Sequence, residues 1–366
     1  MMNMDIQCHS ELDTPSNNQN FLKRAGFVLA LFFSAILYTA EIDYAAETDP
    51  VITKGDSADD PAIWFNSKNP EKSLIFGTDK NSGIYVYDIK GNALSYSNLG
   101  RINNVDLREK DGTLHLVTSN RSSSTLDYWL FPTDDLYNYF KSKPLNSFSQ
   151  NIRHVQLDAG MDIYGICVGL IDNELRAVLT EEEGVTIQYW DLNLKTIIDT
   201  FDITADESNV PLFGNEAEGC VIDDENEHII ISREGSRGIL KAYDANSLEL
   251  IKVIDSRAGN IGGDPEGVTI YKTTDTEGFI IASSQGDSKF NLYNRKFPFE
   301  YIRSFRVNDV TDTDGIDVTN NSINGAFSKG FLVVQDGYNT PDNQNFKIVD
   351  MEQVLKKKAM NPGSTN

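Results

Sequence analysis

Short apolar runs alternate with clusters of polar turn residues along most of this chain. The apolar runs are only a few residues long, and glycine, asparagine, aspartate and serine separate them. Strands bounded by such residues are typical of all-β proteins, whereas an amphipathic helix repeats its apolar residues with a period near 3.6 over a longer segment. Because the helical period is scarce here, the pattern predicts an all-β fold.

Two signatures recur along the chain and indicate an internal repeat. The first is a polar or acidic cluster followed at once by an apolar strand, and its six copies are DDPAIW, NNVDL, DIYGICV, EAEGCVI, DPEGVTI and DTDGIDV. The copies are spaced by about 45 to 60 residues, which is the range of propeller blades.

The second signature joins a polar loop to an alternating strand and follows each copy of the first by about 15 to 25 residues. Its six copies begin with TDKNSG, SNRSSS, TEEEG, SREGSRG, SSQGDS and QDGYNT. Six copies of each signature predict a six-bladed β-propeller of four-stranded antiparallel blades. Because successive strands alternate in direction, both signatures are expected at the same end of the central channel.

Composition shifts divide the chain into three predicted segments. The propeller is assigned to residues 47–358 and a polar tail to residues 359–366. Residues 1–46 form an extension in which Lys23 and Arg24 precede an apolar run at residues 26–40. This run is short for a membrane span and typical of a secretory signal, with an uncleaved signal anchor as the alternative. A secreted or periplasmic protein is therefore expected.

The chain contains three cysteines, of which Cys8 lies in the extension. Cys167 and Cys220 lie inside apolar, strand-like runs, so two buried free thiols are expected rather than a functional pair. The count indicates neither a disulfide scaffold nor a zinc site.

The formal net charge is −23, with 55 acidic and 32 basic residues. A field of this sign opposes binding to nucleic acid and to anionic membranes. The acids form either a solvated surface or clusters neutralised by divalent cations. Clustering is favoured because acids concentrate at the starts of the first strands, and their hard oxygen ligands favour Ca²⁺. The four histidines have no metal-ligand spacing, which disfavours zinc.

Polar side chains in the same loops are candidates for ligand binding. Lys80, Arg121 and Tyr164 lie among the acids, and the NNVDL copy is expected to contribute Asn104 and Asp106. An arginine fork and a lysine point charge beside a metallated acidic mouth suit an anionic ligand, phosphate above all. The chain has no Walker loop, no dinucleotide fingerprint and no recognisable Ser-His-Asp arrangement. Metal-assisted attack by water is therefore favoured over catalysis by a protein nucleophile.

These motifs together resemble the β-propeller phytases, the alkaline, calcium-dependent 3-phytases. The resemblance runs from about Ala45 to NQNFKIV at Asn343 and rests on GDSADDPAIW, NNVD, SNRS, AEG, PEGVTIY, ASSQG, TDTDGIDV, QDG and NQNFK. It implies a propeller with several Ca²⁺ ions that cuts phytate, or calcium-phytate, stepwise into lower inositol phosphates and inorganic phosphate. It also implies attack of a calcium-bound water on phosphorus.

The resemblance also implies roles for individual residues. The implied ligands of the active-site calcium ions are Asp59, Glu218, Glu234, Glu266 and Asp314, and Glu234 is also counted as catalytic. The implied catalytic and phosphate-binding groups are Lys80, Arg121 and Tyr164. The implied structural calcium positions are Asp60, Asp336 and Glu47.

Two positions depart from the family pattern. Asn81 stands where a second lysine is common, and Glu182 stands where a phosphate-binding lysine is expected. Glu182 is kept in the predicted substrate-binding set because its carboxylate is able to recruit a further Ca²⁺ that bridges to phosphate. The alternative functions are a related calcium-dependent phosphoesterase and a non-catalytic calcium-stabilised binding propeller. A monomer is expected, without a membrane partner beyond the N-terminal anchor.

Overall fold

The structure is a computed structural model that describes residues 39–148, 152–210 and 214–356. The predicted signal or anchor segment lies outside the described residues, apart from Thr39 and Ala40 at its end. Within the described ranges, no helix is both long enough and apolar enough to cross a membrane.

Two short strands, β1 (Ala40–Ile42) and β2 (Ala46–Glu47), begin the described chain, and the strands after them form antiparallel sheets in chain order. The first blade contains β3 (Ala58–Trp64), β4 (Leu74–Asp79), β5 (Gly83–Asp88) and β6 (Ala93–Asn98). The second contains β7 (Ile102–Lys110), β8 (Thr113–Asn120), β9 (Thr125–Pro132) and β10 (Arg153–Asp158). The third contains β11 (Ile163–Ile171), β12 (Glu174–Glu181), β13 (Thr186–Asp191) and β14 (Thr196–Asp202).

The remaining strands complete a six-bladed β-propeller, which confirms the predicted fold. The fourth blade contains β15 (Ala217–Asp223), β16 (His228–Arg233), β17 (Ile239–Asp244) and β18 (Leu250–Ser256). The fifth contains β19 (Val268–Lys272), β20 (Gly278–Ser284), β21 (Lys289–Asn294) and β22 (Tyr301–Val307). The sixth contains β23 (Ile316–Thr319), β24 (Phe331–Asp336) and β25 (Asn345–Asp350). Short helices in the described residues are a 3₁₀ turn (Pro70–Lys72), α1 (Leu136–Lys141) and α2 (Met351–Leu355).

The two strands that begin the described chain join the last two blades. Strand β1 adds to the fifth blade in parallel with β22, and β2 becomes the fourth strand of the sixth blade. In that pairing Ala46 faces Ile348 and Glu47 faces Lys347. The propeller therefore includes paired residues upstream of residue 47, where the sequence analysis begins it.

The hydrophobic core is divided among the spaces between blades. Six buried apolar clusters each combine residues of two neighbouring blades. Between the first and second blades, Phe76 and Phe131 pack on Phe140 of α1, with ring centroids 5.5 and 5.3 Å apart. The first strands of neighbouring blades contact one another around the axis. They enclose a channel cavity of about 370 Å³. The packing between blades thus holds the polar starts of the first strands around one channel.

A disulfide joins Cys167 of β11 to Cys220 of β15. The prediction of two free thiols is therefore wrong. The sequence shows that both residues are apolar-flanked, but the bond depends on two first strands being neighbours at the axis, with Cα atoms 5.6 Å apart. The bond links the third blade to the fourth.

Reducing this disulfide is expected to lower the free energy of unfolding by about 4 kcal/mol, because the bond spans 53 residues and restricts the unfolded chain. Urea unfolding with and without reductant measures the effect. The Cys167→Ser/Cys220→Ser double variant should match the reduced protein, and Cys8→Ser serves as the control. A reductant that destabilises the double variant as much as the unaltered protein would contradict this account.

Candidate active site

The starts of the six first strands place one residue of each blade around the channel mouth. In the first four blades the register between first and second strands shifts here, as in a β-bulge. Regular pairing between the first and second strands begins at Pro61, Val105, Ile166, Cys220, Val268 and Ile316. The residue two positions before each of these lies at the mouth. We call these six equivalent residues the inner ring: Asp59, Asn103, Tyr164, Glu218, Glu266 and Asp314.

A second set of equivalent positions follows the second strand of each blade. In five blades the backbone N–H of this residue donates to the carbonyl two residues before the inner-ring position, at 2.8 to 3.0 Å. In the sixth blade Gly337 donates to Thr311 at 2.9 Å. We call these positions the outer ring: Lys80, Arg121, Glu182, Glu234, Gln285 and Gly337. The shared hydrogen bond shows that the two sequence signatures meet at one end of the channel.

Glycine after an inner-ring residue allows neighbouring first strands to approach closely. A Cβ at Gly165 would collide with the carbonyl oxygen of Glu218, and one at Gly219 would collide with that of Glu266. Only glycine fits where another backbone comes this near. The glycine of the first signature is therefore a requirement for bringing the inner-ring side chains together.

Three of these side chains form a carboxylate triad, Glu218, Glu234 and Glu266, whose ligand oxygens lie within 4.8 Å of one another. Glu218 and Glu266 are buried, and Glu234 is half-buried. Burial, followed by the charge of Glu218, raises the pKa of Glu234 to about 9. Burial and the charges of Glu234 and Glu218 likewise raise the pKa of Glu266 well above its ordinary value. Without a cation, Glu234 and Glu266 therefore keep their protons to a higher pH than ordinary glutamates do.

The carboxylate triad fits a bound Ca²⁺. In the described part of the chain, Glu234 Oε1 and Glu266 Oε2 are buried without a hydrogen-bond partner. Oxygen ligands on Ca²⁺ at about 2.4 Å lie no more than about 4.8 Å apart, which matches the spread of the triad. Three hard oxygen donors with no nitrogen or sulfur among them suit Ca²⁺ better than zinc.

Lys80 holds two further inner-ring carboxylates together. Its Nζ lies 3.0 Å from Asp59 Oδ1 and 3.6 Å from Asp314 Oδ2, across the junction of the first and sixth blades. Burial alone would lower the pKa of Lys80, but the charges of Asp59 and Asp314 outweigh it and raise that pKa. Burial raises the pKa of Asp59 to about 7, although Lys80 opposes the shift. The lysine is therefore a permanent cation at the mouth.

Asn103 is a site residue that the sequence analysis missed, since Asn104 and Asp106 were expected there. The Asn103 side-chain amide lies 2.9 Å from Glu218 Oε1 and 3.2 Å from Asp59 Oδ2, and donates to both. Asn104 is buried beside Asn103, and Asp106 lies farther along the channel wall. The register of the bulge decides which asparagine faces the mouth, and consecutive asparagines in the sequence do not reveal it.

Arg121 extends from the outer ring between Asn103, Glu182 and Tyr164. Its Nη1 donates to Asn103 Oδ1 at 3.0 Å, and its Nε donates to Glu182 Oε2 at 3.0 Å. Nη2 donates to the other carboxylate oxygen of Glu182. The guanidinium carbon lies 5.3 Å from the centre of the Tyr164 ring. The charge of Glu218, followed by burial, raises the pKa of Tyr164, which keeps its hydroxyl protonated.

Asp60 lies apart from the carboxylate triad, in the wall of the channel cavity. Its Oδ2 accepts a hydrogen bond from the backbone N–H of Val105 at 3.0 Å, which joins the first blade to the second. Burial raises its pKa well above the ordinary value. Its role as a structural calcium ligand stays a prediction.

Glu47 and Asp336 lie on either side of Lys347, away from the carboxylate triad. Lys347 Nζ contacts Glu47 Oε2 and lies 3.3 Å from Asp336 Oδ2. The hydrogen bond from Lys347 lowers the pKa of Glu47. The chain itself thus supplies a positive charge to both carboxylates, and their role as structural calcium ligands stays a prediction.

Comparisons of the sequence with known proteins match this chain to a family of enzymes. The family model described as Phytase matches residues 20–363. The chain is 33% identical over 331 residues to a 3-phytase from Bacillus subtilis (strain 168), and the match covers 85% of this chain and 83% of that protein.

Two solved structures share the fold at low sequence identity. A luciferin-regenerating enzyme has a TM-score of 0.52 and 11% identity, covering 82% of this chain and 95% of that one. An auxiliary nutrient binding protein from Bacteroides thetaiotaomicron VPI-5482 has a TM-score of 0.50 and 11% identity, covering 81% and 69%. At 11% sequence identity, the similarity to these two structures shows a shared fold alone. Because the family model and the Bacillus subtilis relative both match over most of the chain, this protein belongs to the phytase family of enzymes.

Proposed function

We propose that this chain is a calcium-dependent phytase that hydrolyses phosphate monoesters of myo-inositol hexakisphosphate to lower inositol phosphates and phosphate. One observation carries the proposal: the carboxylate triad shares the channel mouth with Lys80 and Arg121, in a chain of the phytase family. The similar Bacillus subtilis protein is a 3-phytase, which supports the same substrate class.

The residues of the mouth divide the work of phosphate ester hydrolysis. Bound Ca²⁺ would neutralise the triad and supply Lewis-acid activation of water and phosphate oxygens. Lys80 and Arg121 supply fixed positive charge for the oxygens of the transferred phosphoryl group. Asn103 orients Arg121 because its Oδ1 accepts a hydrogen bond from Nη1 of that arginine. Tyr164, kept protonated, is a hydrogen-bond donor beside the guanidinium.

We also propose export from the cytoplasm. The disulfide between Cys167 and Cys220 supports this, because structural disulfides persist chiefly in oxidising compartments. The apolar run at residues 26–40 supports it independently, as a secretory signal or anchor.

A calcium-dependent phosphoesterase of different substrate preference is the second candidate. Glu182 favours it, because an acid stands beside Arg121 on the outer ring where the family resemblance implies a phosphate-binding lysine, so the anion contacts of this mouth differ from the family pattern. Comparing phosphate release from phytate with release from a simple monoester separates the two functions. Release from neither would support a binding propeller instead.

Phosphate release from phytate is expected to need Ca²⁺ and to stop when a chelator is added. Arg121→Ala should lower turnover by about 100-fold or more, because it removes charge stabilisation from the phosphoryl group. Arg121→Lys should recover only part of the loss, since lysine keeps the charge but lacks the planar fork. Arg153→Ala, at the outer edge of the same blade, serves as the matched control. Calcium-independent release, or full activity of Arg121→Ala, would refute the proposal.

A further inference from the structure

The guanidinium of Arg121 is already occupied by a carboxylate of the chain. Nε and Nη2 both donate to Glu182, one to each carboxylate oxygen, and Nη1 donates to Asn103. The pair is largely shielded, since the side chains of Arg121 and Glu182 are 15% and 27% exposed. A guanidinium edge paired in this way offers a carboxylate the same two parallel donors that it offers a phosphate.

The scaffold holds the two partners at neighbouring positions. Arg121 and Glu182 are outer-ring residues of the second and third blades, and each backbone N–H is fixed by the hydrogen bond that the ring shares. Those bonds measure 2.8 Å from Arg121 to Arg101 and 3.0 Å from Glu182 to Asp162. The ion pair therefore follows from the repeat geometry once position 182 carries an acid.

We propose that Glu182 is a specificity-determining residue that competes internally with phosphate for the fork of Arg121. The inference rests on the proposed function, because it concerns phosphate in the same mouth. A phosphate that takes the Nε–Nη2 edge of Arg121 must displace Glu182 and then lie beside its negative charge, and both effects weaken binding.

The competition selects for densely charged substrates. A single phosphate meets the full cost of displacing Glu182, whereas a polyphosphorylated ligand offsets it through further contacts with Lys80 and with bound cations. Glu182 thus suppresses binding of inorganic phosphate and simple monoesters more than binding of an inositol polyphosphate. Removing its charge should relax this selectivity.

Equilibrium dialysis of labelled inorganic phosphate against the full, calcium-loaded chain tests the proposal directly. Glu182→Gln is expected to bind phosphate about 10-fold more tightly, because it frees a charge-assisted donor pair. Glu183→Gln, an exposed neighbour in the same turn, removes the same charge and should change the affinity by less than about two-fold. Combining Glu182→Gln with Arg121→Lys should abolish the gain, because lysine has no fork.

Turnover of two substrates gives a second measure. Glu182→Gln is expected to lower KM for a simple phosphate monoester more than it lowers KM for phytate. The change in kcat should be smaller than the change in either KM value. Equal phosphate affinity in Glu182→Gln and the unaltered protein would overturn the inference while leaving the proposed phytase activity in place. Fewer calcium ions bound to Glu182→Gln would also overturn it, by making Glu182 a metal ligand. Absence of phosphate binding in every variant, together with no release from phytate, would overturn both proposals.

Discussion

Replacing Glu266 with glutamine is expected to raise the melting temperature of the calcium-free protein while lowering calcium-dependent turnover by about 1,000-fold or more. The two effects have opposite signs because the buried carboxylate destabilises the folded protein when no cation is bound, but is needed as a ligand when calcium is bound. Glutamine nearly keeps the shape of the side chain and, unlike glutamate, needs no proton to stay neutral beside Glu234 and Glu218 as the pH rises. Calcium should therefore stabilise the variant much less than it stabilises the unaltered protein.

Thermal melts with Ca²⁺ and with chelator, and phosphate release at alkaline pH, measure both effects. Glu277→Gln is the matched control, since Glu277 is an exposed glutamate of the same blade that pairs with Lys296. A drop in the stability of calcium-free Glu266→Gln would contradict the view that the carboxylate triad is strained without metal. Unchanged turnover would remove Glu266 from the calcium site.

The stabilisation by calcium is expected to grow as the pH rises from about 5 to about 9. Asp59 and Glu234 have folded-state pKa values of about 7 and about 9, whereas unfolded carboxyl groups titrate near 4. The folded, calcium-free protein thus binds more protons than the unfolded chain between these values. The stability that these two groups contribute is fully present below about pH 4 and is lost as the pH rises through their folded-state pKa values, by an amount on the order of several kcal/mol.

Calcium should reverse this loss, because it replaces the protons that the clustered carboxylates would otherwise hold. Calorimetric melts at several pH values, with calcium and with chelator, measure the difference between the two curves. Proton release on calcium addition near neutral pH should accompany the stabilisation. A chelator effect that stayed constant with pH, or became smaller at alkaline pH, would contradict the prediction.

Local patterns were enough to predict the fold. The six repeated strand starts predicted six blades, whereas the choice of Asp59, Glu218, Glu266 and Asp314 among the many acids of these loops came from the family resemblance. The fold prediction succeeds because it depends on residues that are close in sequence, and the repeat supplies the register.

Features that depend on the bulge register or on contacts between distant segments could not be predicted from the sequence. Asn103, rather than Asn104, faces the mouth because a bulge sets the register, and consecutive asparagines are equivalent in the sequence. The Cys167–Cys220 disulfide requires two first strands to be neighbours at the axis. Lys347 meets Glu47 across a sequence separation of 300 residues, so composition alone could not show that a lysine serves this carboxylate.

The ring of blades closes when β2, from the start of the propeller, pairs with the last strand of the sixth blade, and this affects when the mouth forms during synthesis. Asp59 and Asp314, which share Lys80, lie on either side of the junction between the first and sixth blades, and Gly315 N–H donates to Asp59 O across it at 3.0 Å. A ribosome makes the first partner early and the second near the end of translation. The mouth is complete only after the last blade has emerged and the ring has closed. We therefore expect chains that lack the sixth blade to have no activity, so that activity appears only once folding is complete.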